Sequence, residues 1–391
     1  MRGAQSRLIF YDTTDYTGFP IGGQLTSVRN FLRYLCEEHP ERCGEILLVG
    51  VSTDPSAVGR FAALPMYGRT LRFLPVAAAE TDLSHTAHSL RLAFARGLLR
   101  YGRRLALRRG DCQYIQTPEA AGPVRLLCPG ARYVIFSHGS YANMDRGLRF
   151  FRRNVLLRRA FRHYLRGVVR RASLIFVLDE SSRWDYLPYN RKLVSVRNSI
   201  VLPEQYSCAQ PGERVYGGRL LFVGRLSKDK GVDGILRAVR LLEQEGGGET
   251  LTIVGDGEEG DRLRGMEESQ GCRVRFAGAV TPAEVQDYME ASDILVMNSR
   301  FEGVPMTILE ALSHGLPVIS TAVGGIAETV RFGVEAEETD GSPEGIARAV
   351  RRIREHYGDY AAAAHRRAAD YDYRRVNRAV YEALAAFWPE G

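Results

Sequence analysis

The chain has 391 residues and a net charge of +7, and 45% of its residues are hydrophobic. This length exceeds one ordinary hydrophobic core, so we expect two domains of roughly 150 to 200 residues each. No stretch approaches the ~20 consecutive apolar residues of a membrane-spanning helix, and the N-terminal residues lack the apolar core of a signal peptide. The composition therefore predicts a cytoplasmic globular protein.

Basic residues are concentrated in the first half of the chain. Residues 1–195 carry 30 Lys and Arg against 15 Asp and Glu, whereas residues 196–391 carry 23 against 31. The two halves therefore have net charges of +15 and −8, which sum to +7. We expect the halves to meet different partners.

In the first half, short apolar runs alternate with helical stretches. The run RLIFY predicts a strand, and the helix after the following glycine turn places Val28, Phe31, Leu32 and Leu35 at a period of 3.6 residues. Further strands are predicted at EILLVGV, LRFLPVA, ARYVIFSHG and ASLIFVLDE. Strands that alternate with helices in this way are typical of a parallel sheet.

The same alternation begins again after residue 200. Strands are predicted at RLLFVGRL, ETLTIVGDG, CRVRFAGAV, DILVMNS and LPVIST, with helices between them. We therefore predict an α/β protein with two doubly wound Rossmann-like domains, 1–200 and 201–371, that face a cleft, with ligands at the carboxyl ends of the strands.

Two tracts in the first half are rich in arginine and contain no acidic residue. Residues 91–109 hold seven arginines and residues 146–171 hold ten. The apolar side chains of the second tract, Phe150, Phe151, Leu156, Leu157, Phe161 and Leu165, fall near helical spacing. Such a helix either lies on an anionic membrane surface or packs its apolar stripe on the core and leaves its arginines in solvent. Nucleic acid is not expected as a partner, because no recognition motif accompanies the arginines.

The segment VGRLSKDKG joins a strand to a helix through a turn with two cations. Arg225 follows the strand, and Lys230 stands where the helix begins. The free amides and the dipole of a helix N-terminus favour anions, and two cations there favour a diphosphate. The alternative is a solvated loop.

The segment SRFEGVPMTILEALSHG holds two glutamates, one in a turn and one in the helix that follows. The fixed φ of Pro305 suits a first helical position, and Gly315 suits the helix end. Burial of Ile308, Leu309 and Leu312 leaves Thr307, Glu310 and His314 on the open side of the helix. A carboxylate there accepts two hydrogen bonds from a vicinal diol such as a ribose, and Glu302 stands at the strand end, where a ligand binds.

In combination, VGRLSKDKG, IVGDG, RFAGAV, EGVPMTILEALSHGLPVISTAVGG and the N-terminal IGG resemble the retaining glycosyltransferases of family 4, which have the GT-B fold. The resemblance is dense over residues 219–330 and thin over the first half. It implies that the last helix, about 372–391, returns to the first domain. Two positions depart from the family pattern: RNSIVL replaces the common Asn-Gly-Val-Asp, and Asn298 replaces a frequent proline. We expect both to alter the linker shape and to leave the diphosphate and glutamate sites untouched.

The resemblance also implies the roles of individual residues. Glu310 would bind the ribose, Glu302 would lie beside the donor sugar, and Arg225 and Lys230 would grip the diphosphate. The remaining donor contacts implied are the backbone amides around Gly303, Val304, Pro305 and Met306, the N-terminal turn Gly22 and Gly23, and the loops at Gly255, Gly278 and Val280 beside the base. His138 would lie near the reaction centre.

The function implied by the resemblance is transfer of a sugar, with retention of configuration, from a nucleotide-diphosphate donor to a glycan or lipid-linked acceptor. No metal or other cofactor is expected, because cations and amides neutralise the leaving diphosphate. The six cysteines also lack the spacing of a zinc site or a disulfide framework. Two alternatives stay open: an epimerase of UDP-sugars with the same architecture, and a non-enzymatic arginine-rich binding protein.

Overall fold

The computed structural model describes residues 6–20, 22–80, 90–138, 155–204, 206, 214–270 and 273–389. The chain divides into two compact units. Unit 1 comprises Met1–Arg197 and Tyr373–Gly391, and unit 2 comprises Asn198–Asp372. Each unit is built on its own sheet.

Unit 1 contains an eight-stranded sheet. Its strands are β1 (Leu8–Tyr11), β2 (Ile46–Ser52), β3 (Ala62–Met66), β4 (Arg69–Ala78), β5 (Cys112–Ile115), β6 (Tyr133–Phe136), β7 (Leu174–Val177) and β8 (Leu193–Ser195). Their order in the sheet is β3-β4-β2-β1-β5-β6-β7-β8, and every neighbouring pair is parallel except β3 with β4. The prediction of a parallel sheet is therefore confirmed for this unit, apart from one antiparallel edge strand.

Six α-helices belong to the described part of unit 1. They are α1 (Gly23–Glu38), α2 (Leu90–Tyr101), α3 (Ala121–Leu127), α4 (Val155–Arg171), α5 (Glu180–Tyr186) and α13 (Tyr373–Ala385). The predicted apolar face of α1 is confirmed, since Val28, Phe31, Leu32 and Leu35 are all buried. These side chains leave water together, which stabilises the helix far more than its intrinsic propensity does.

The C-terminal helix α13 packs on α1. The ring of Tyr381 stacks on that of His39 with centroids 3.9 Å apart, and the Arg42 guanidinium lies 3.5 Å from the centroid of the Trp388 ring. Trp388 itself is fully buried. Aromatic and cation–π contacts therefore hold Tyr381 and Trp388 against the residues that follow α1.

Unit 2 contains a six-stranded sheet whose strand pairs are all parallel. Its strands are β9 (Arg219–Val223), β10 (Thr250–Val254), β11 (Val274–Gly278), β12 (Ile294–Val296), β13 (Val318–Ser320) and β14 (Ala336–Glu338), in the order β11-β10-β9-β12-β13-β14. The helices are α6 (Val232–Gln244), α7 (Gly260–Gln270), α8 (Pro282–Glu290), α9 (Met306–Ser313), α10 (Ile326–Thr329), α11 (Pro343–Glu355) and α12 (Tyr357–Ala368). The predicted doubly wound arrangement is confirmed for this unit.

Both faces of the unit 2 sheet are buried. Along β9, Leu220 and Phe222 belong to one apolar cluster, which includes residues of α6 and α11. Leu221 belongs to the cluster on the other side, which includes residues of α9 and α12. Successive side chains of a strand point to opposite faces, so a strand covered on both sides is apolar at every position. This explains the continuous apolar runs in the sequence.

None of the described helices combines the length and the apolar character needed to cross a lipid bilayer.

Candidate functional site

In unit 2 the connections change direction between two neighbouring strands, β9 and β12. The chain continues from β9 to β10 and β11 on one side of the sheet, and from β12 to β13 and β14 on the other. Such a switch leaves a crevice beyond the carboxyl ends of the two strands, where open α/β sheets bind their ligands. We call this place the β9/β12 crevice; it is bounded by residues 224–231 and 297–305.

Two predicted site residues from opposite sides of this crevice form an ion pair. Lys230 ends the 3₁₀ turn Lys228–Lys230, and its Nζ contacts Oε1 of Glu302. The side chains of Lys230 and Glu302 are only 21% and 10% exposed. Ser299 Oγ donates to the same carboxylate oxygen at 2.6 Å. The structure therefore brings a cation and an anion together at the strand ends, held away from most of the solvent.

Arg225 follows β9 on the same side of the crevice as Lys230. Its guanidinium lies 3.1 Å from Glu258, and its side chain is 73% exposed. An exposed ion pair of this kind contributes at most about 1 kcal/mol. A bound anion would therefore readily replace Glu258 as the partner of the Arg225 guanidinium. The predicted pair of cations, Arg225 and Lys230, thus stands within one short loop after β9.

The loops after β9 and β10 pack backbone against backbone. Gly255 has φ of +132°, and a Cβ atom there would lie 1.9 Å from the carbonyl oxygen of Gly224. Leu226 N–H donates to Asp256 O at 2.9 Å, and Gly255 N–H donates to Gly278 O at 2.8 Å. Gly278 ends β11, so the predicted glycines line one continuous edge of the sheet. Val280 is partly buried against the cluster that includes α9.

The turn 303–305 leads into α9, which begins at Met306. Pro305 has an extended backbone and caps the helix, so the prediction that it occupies the first helical position is wrong by one residue. Within the part of the chain that the structure describes, the amides of Gly303, Val304 and Met306 donate to no other backbone oxygen. A helix start with unused N–H groups is a site for an anionic group.

The carbonyl groups of this turn are bonded inside the protein. Gly325 N–H donates to Gly303 O at 2.9 Å, and Asn198 Nδ2 donates to Val304 O at 3.0 Å. The turn therefore directs its carbonyls inward and keeps its amides available. The expectation that the RNSIVL segment stays clear of the glutamate site is wrong, because Asn198 holds the turn directly after Glu302.

Helix α9 has the two faces that its sequence predicts. Ile308, Leu309 and Leu312 are fully buried, whereas Thr307, Glu310 and His314 are half-buried. The helix ends in a Schellman motif, in which Gly315, with φ of +68°, donates to Leu312 O and Leu316 donates to Ala311 O. The polar side of the helix is thus less buried than the apolar stripe, as the sequence predicts, but it is not fully open to solvent.

Burial raises the pKa of Glu310 above the ordinary value of a glutamate. No described Lys, Arg or His side chain lies within ion-pair distance of its carboxylate. The group therefore keeps both oxygens for hydrogen bonds with a neutral donor. Removing such a carboxylate from water is costly unless hydrogen-bond donors arrive to replace the water.

Asn298 also borders the β9/β12 crevice. Its Nδ2 donates to Gly231 O at 3.0 Å and to Gly341 O at 3.2 Å. Sequence reasoning placed Asn298 away from the diphosphate site, and this is wrong, since Gly231 is the residue next to Lys230.

Unit 1 has a second direction change, between β1 and β5. Asp12 follows β1 and is fully buried, with Gln24 Nε2 and the Thr13 amide donating to its Oδ1. Thr117, after β5, donates to the same oxygen at 3.3 Å. Burial raises the pKa of Asp12 to about 6. Sequence reasoning missed this cluster because β5 was not predicted.

The unit 1 residues predicted to act on the donor lie near this second switch. Gly22 caps α1 and Gly23 is its first residue, and both are exposed; Ile21 of the IGG motif lies outside the described residues. His138 follows β6, and its Nε2 lies 2.6 Å from Gln116 Oε1. Burial, with the nearby Arg91 charge, lowers the pKa of His138 to about 3. A neutral imidazole that donates from Nε2 presents Nδ1 as an acceptor.

The described residues contain no group of three or more His, Cys, Asp or Glu side chains arranged to hold a metal ion.

Comparison with known proteins extends these observations. The family described as glycosyl transferases group 1 matches residues 217–356. Glycogen synthase of Mycobacterium tuberculosis (strain H37Rv) is 32% identical over 210 residues, which are 50% of this chain and 49% of that protein. The lipopolysaccharide core biosynthesis glycosyltransferase LpsE of Rhizobium meliloti is 35% identical over 137 residues, 34% of this chain and 38% of that protein. The matched regions thus span about half, or less, of these relatives.

Several solved structures resemble the chain over almost its whole length. HepE of Anabaena in complex with UDP-glucose superimposes with a TM-score of 0.64 at 18% identity, over 97% of this chain and 99% of that protein. At this identity the likeness shows the fold alone, which is GT-B. Residues 217–356 thus resemble glycosyl transferases group 1, and the chain as a whole has the two Rossmann-like units of the GT-B fold.

Proposed function

We propose that the chain is a retaining glycosyltransferase. It transfers a hexose or hexosamine from a nucleotide-diphosphate sugar, with UDP as the expected nucleotide, to a glycan or lipid-linked acceptor in bacterial cell-surface polysaccharide synthesis. The observation that carries this proposal is the pairing of Lys230 with Glu302 at the β9/β12 crevice. It joins the cation expected at the diphosphate to the acid expected at the donor sugar.

Chemistry in the crevice requires stabilisation of the leaving diphosphate. As the bond between the anomeric carbon and the phosphate oxygen breaks, negative charge grows on the nucleoside diphosphate. Arg225, Lys230 and the unused amides of Gly303, Val304 and Met306 would be the donors for this charge, each contributing about 2 to 4 kcal/mol when it is well placed. The acceptor oxygen would attack from the face that the diphosphate leaves, which retains the anomeric configuration.

Glu310 has the environment of a ribose-binding group. Its carboxylate is largely withdrawn from solvent and pairs with no described cation, so two hydroxyl donors would satisfy it. The helix rises about 1.5 Å per residue, which carries Glu310 away from Glu302 along the donor. The two acids would therefore act at separate points of one nucleotide-sugar.

The comparisons support sugar transfer in general. Both relatives named above are enzymes of sugar transfer by name, and one of them belongs to lipopolysaccharide core biosynthesis. HepE, with the same fold, is known in complex with UDP-glucose. These facts favour a UDP-sugar donor and are compatible with an acceptor that is part of a surface glycan.

The arginine-rich helices of unit 1 support a membrane-surface location. On α2 the exposed side chains include Leu92, Arg96, Leu99 and Arg100, which follow helical spacing. Leucines that stay in water beside arginines are suited to the boundary between anionic headgroups and acyl chains, where each arginine contributes about 1 kcal/mol. We therefore propose that the protein is cytoplasmic and works at the inner face of the membrane.

Helix α4 has features of both predicted alternatives, a helix packed on the core and a helix on a membrane surface. Leu165, Val168 and Val169 are buried in the core, so this part of the helix is an ordinary packed element. Near its start, however, Leu156 is 74% exposed, next to Leu157 and the exposed Arg159. Phe150, Phe151 and the rest of the tract before residue 155 lie outside the described residues. Flotation with anionic vesicles but not with neutral ones is the expected result, and equal behaviour with both would contradict a membrane role.

Donor hydrolysis tests the proposed activity. The protein would be incubated with UDP-, GDP- and dTDP-sugars, and release of the free nucleotide and changes in melting temperature would be measured. We expect stabilisation by UDP-sugars and slow release of UDP. Isomerised nucleotide-sugar without release would instead indicate an epimerase, and no effect of any donor would indicate a binding protein without this activity.

A further inference from the structure

One buried amide joins three loops at the carboxyl edge of the unit 2 sheet. Asn298 follows β12 and is only 7% exposed. Its Nδ2 donates to Gly231 O, in the loop after β9, and to Gly341 O, in the loop after β14. Both N–H groups of the amide are thus used on backbone carbonyls of two other loops, so one side chain connects all three loops.

Glycines surround this amide where side chains would collide with it. A Cβ atom on Gly231 would lie 2.4 Å from the Asn298 carbonyl oxygen and 2.9 Å from its Nδ2. A Cβ atom on Gly234 would lie 2.6 Å from the same Nδ2. Gly231 also has φ of +59°, a conformation that favours glycine. The loop after β9 therefore packs directly on Asn298, without intervening side chains.

The segment after β12 also contacts Asp229, the residue that precedes Lys230. Arg300 N–H donates to Asp229 O at 2.8 Å, two positions along the chain from Asn298. Lys230 is therefore fixed at its preceding residue by Arg300 and at its following residue by Asn298. With both flanks held, the ammonium group reaches Glu302 in a defined position.

We infer that Asn298 is a positioning residue. Through its hydrogen bond to Gly231 O, it would hold Lys230 in the position needed to bind the diphosphate of the donor. The inference rests on the proposed function, because it assumes that Lys230 contacts the diphosphate of the donor. It assigns to Asn298 a role in affinity for the distal phosphate and none in recognition of the nucleoside. A change at Asn298 should therefore affect UDP and UMP differently.

The test is a calorimetric comparison of UDP and UMP binding. In Asn298→Asp a carboxylate would face the two carbonyl oxygens in place of an N–H donor, and in Asn298→Ala the bonds would be lost. A small displacement of Lys230 is expected to weaken UDP binding roughly tenfold in each variant and to leave UMP binding unchanged. In a variant that also lacks the Lys230 ammonium, Lys230→Ala, the additional change at Asn298 should have little further effect on UDP binding.

Asn190 provides a matched control in unit 1. It is 8% exposed, and its Nδ2 likewise donates to two carbonyl oxygens, Val169 O at 2.8 Å and Ala172 O at 2.9 Å. Asn190→Asp breaks the same kind of bond, so it should lower the melting temperature as Asn298→Asp does. Its affinity for UDP relative to UMP should equal that of the wild type.

The possible results separate this inference from the proposed function. If folded Asn298 variants bind UDP as tightly as the wild type, or lose UDP and UMP affinity equally, the positioning role is refuted. If the wild type binds UDP no more tightly than UMP, the diphosphate site itself is refuted, and the inference with it. Should Asn298→Asp fail to fold, as judged by circular dichroism, Asn298→Ser is measured and interpreted in the same way.

Discussion

Lys230 Nζ contacts Glu302 Oε1 across the β9/β12 crevice, although the two residues are 72 positions apart in the sequence. The two charges compensate each other. This matters because burying a single cation or anion away from water carries a large free-energy cost. An ammonium group has three N–H donors, so Lys230 is able to hold Glu302 and a phosphate oxygen together. In the proposed function, the remaining N–H donors of Lys230 would bind the diphosphate.

Replacing Lys230 is expected to abolish most donor turnover. In Lys230→Ala the leaving diphosphate loses a positioned cation, and Glu302 keeps an uncompensated charge. We expect the rate of UDP release from a UDP-sugar to fall about 100-fold, as for loss of one well-placed donor to a developing anion. The measurement is a coupled assay of UDP release.

Lys228 is the matched control for this change. It belongs to the same 3₁₀ turn and is exposed. Lys228→Ala should release UDP at the wild-type rate. Equal losses in both variants would show that the charge of the loop matters and the specific contact with Glu302 does not.

Glu310→Gln is expected to weaken binding of UDP and UMP alike. Both ligands contain the ribose, and the neutral amide replaces a carboxylate that accepts two hydrogen bonds, so we expect a loss of about tenfold for each. Glu355→Gln, an exposed change in α11, is the control. A loss confined to UDP would contradict ribose binding by Glu310.

The pKa of Glu310 adds a pH dependence to this prediction. Burial raises that pKa, so the carboxylate takes up a proton at a higher pH than an ordinary glutamate does. Affinity for UMP should therefore fall as the pH is lowered toward this raised value. The Glu310→Gln variant, which has no such group, should lack the fall, as measured by calorimetric titrations over a pH series.

Asp12 should make the stability of unit 1 depend on pH. Its pKa is raised from 3.8 to about 6 by burial. Between these values the unfolded chain has lost the proton while the folded chain keeps it, so the free energy of unfolding falls as the pH rises. The fall would amount to about 3 kcal/mol for a shift of this size.

Asp12→Asn removes this titration. The variant should match the wild type near about pH 4 and should be the more stable protein above about pH 6. Urea unfolding of both proteins at the two pH values measures the difference. Parallel stability curves across this range would contradict a buried, titrating Asp12.

The sequence predicted those parts of the fold in which one local pattern dominates. The apolar runs of β1, β9 and β10 and the two faces of α1 and α9 are confirmed, because strands covered on both sides and amphipathic helices have distinct periodicities. Strand β5 was missed because Gln113 interrupts its apolar run. That glutamine is fully buried and accepts a hydrogen bond from Tyr11 at 2.6 Å, a partner 102 positions away.

In the candidate site, too, some residues were predictable from the sequence and others were not. Arg225, Lys230 and Glu302 were indicated by their places at strand ends, and the structure puts Lys230 beside Glu302. The role of Asn298 was not predictable, because its partners, Gly231 and Gly341, are distant in the sequence and offer only backbone carbonyls. Contacts from a side chain to a remote backbone leave no pattern in the sequence.

Gly255→Ala is expected to disrupt the edge of the donor site. The new Cβ atom would lie 1.9 Å from Gly224 O, and the φ of +132° is unfavourable for alanine. Gly265, within α7, has no atom within 4 Å of a Cβ at that position, so Gly265→Ala should stabilise the protein by about 0.5 to 1 kcal/mol. Thermal unfolding with and without UDP measures both effects. Wild-type stability and UDP binding in Gly255→Ala would contradict the close packing of the two loops.

Calorimetric titration of UDP and UMP into the wild type and Lys230→Ala tests the central claim most directly. The claim is that the β9/β12 crevice binds a nucleoside diphosphate through Lys230. We expect the wild type to bind UDP more tightly than UMP and Lys230→Ala to lose this preference while still binding UMP. A wild type that binds neither ligand, or a Lys230→Ala variant that keeps the full preference for UDP, would contradict the claim.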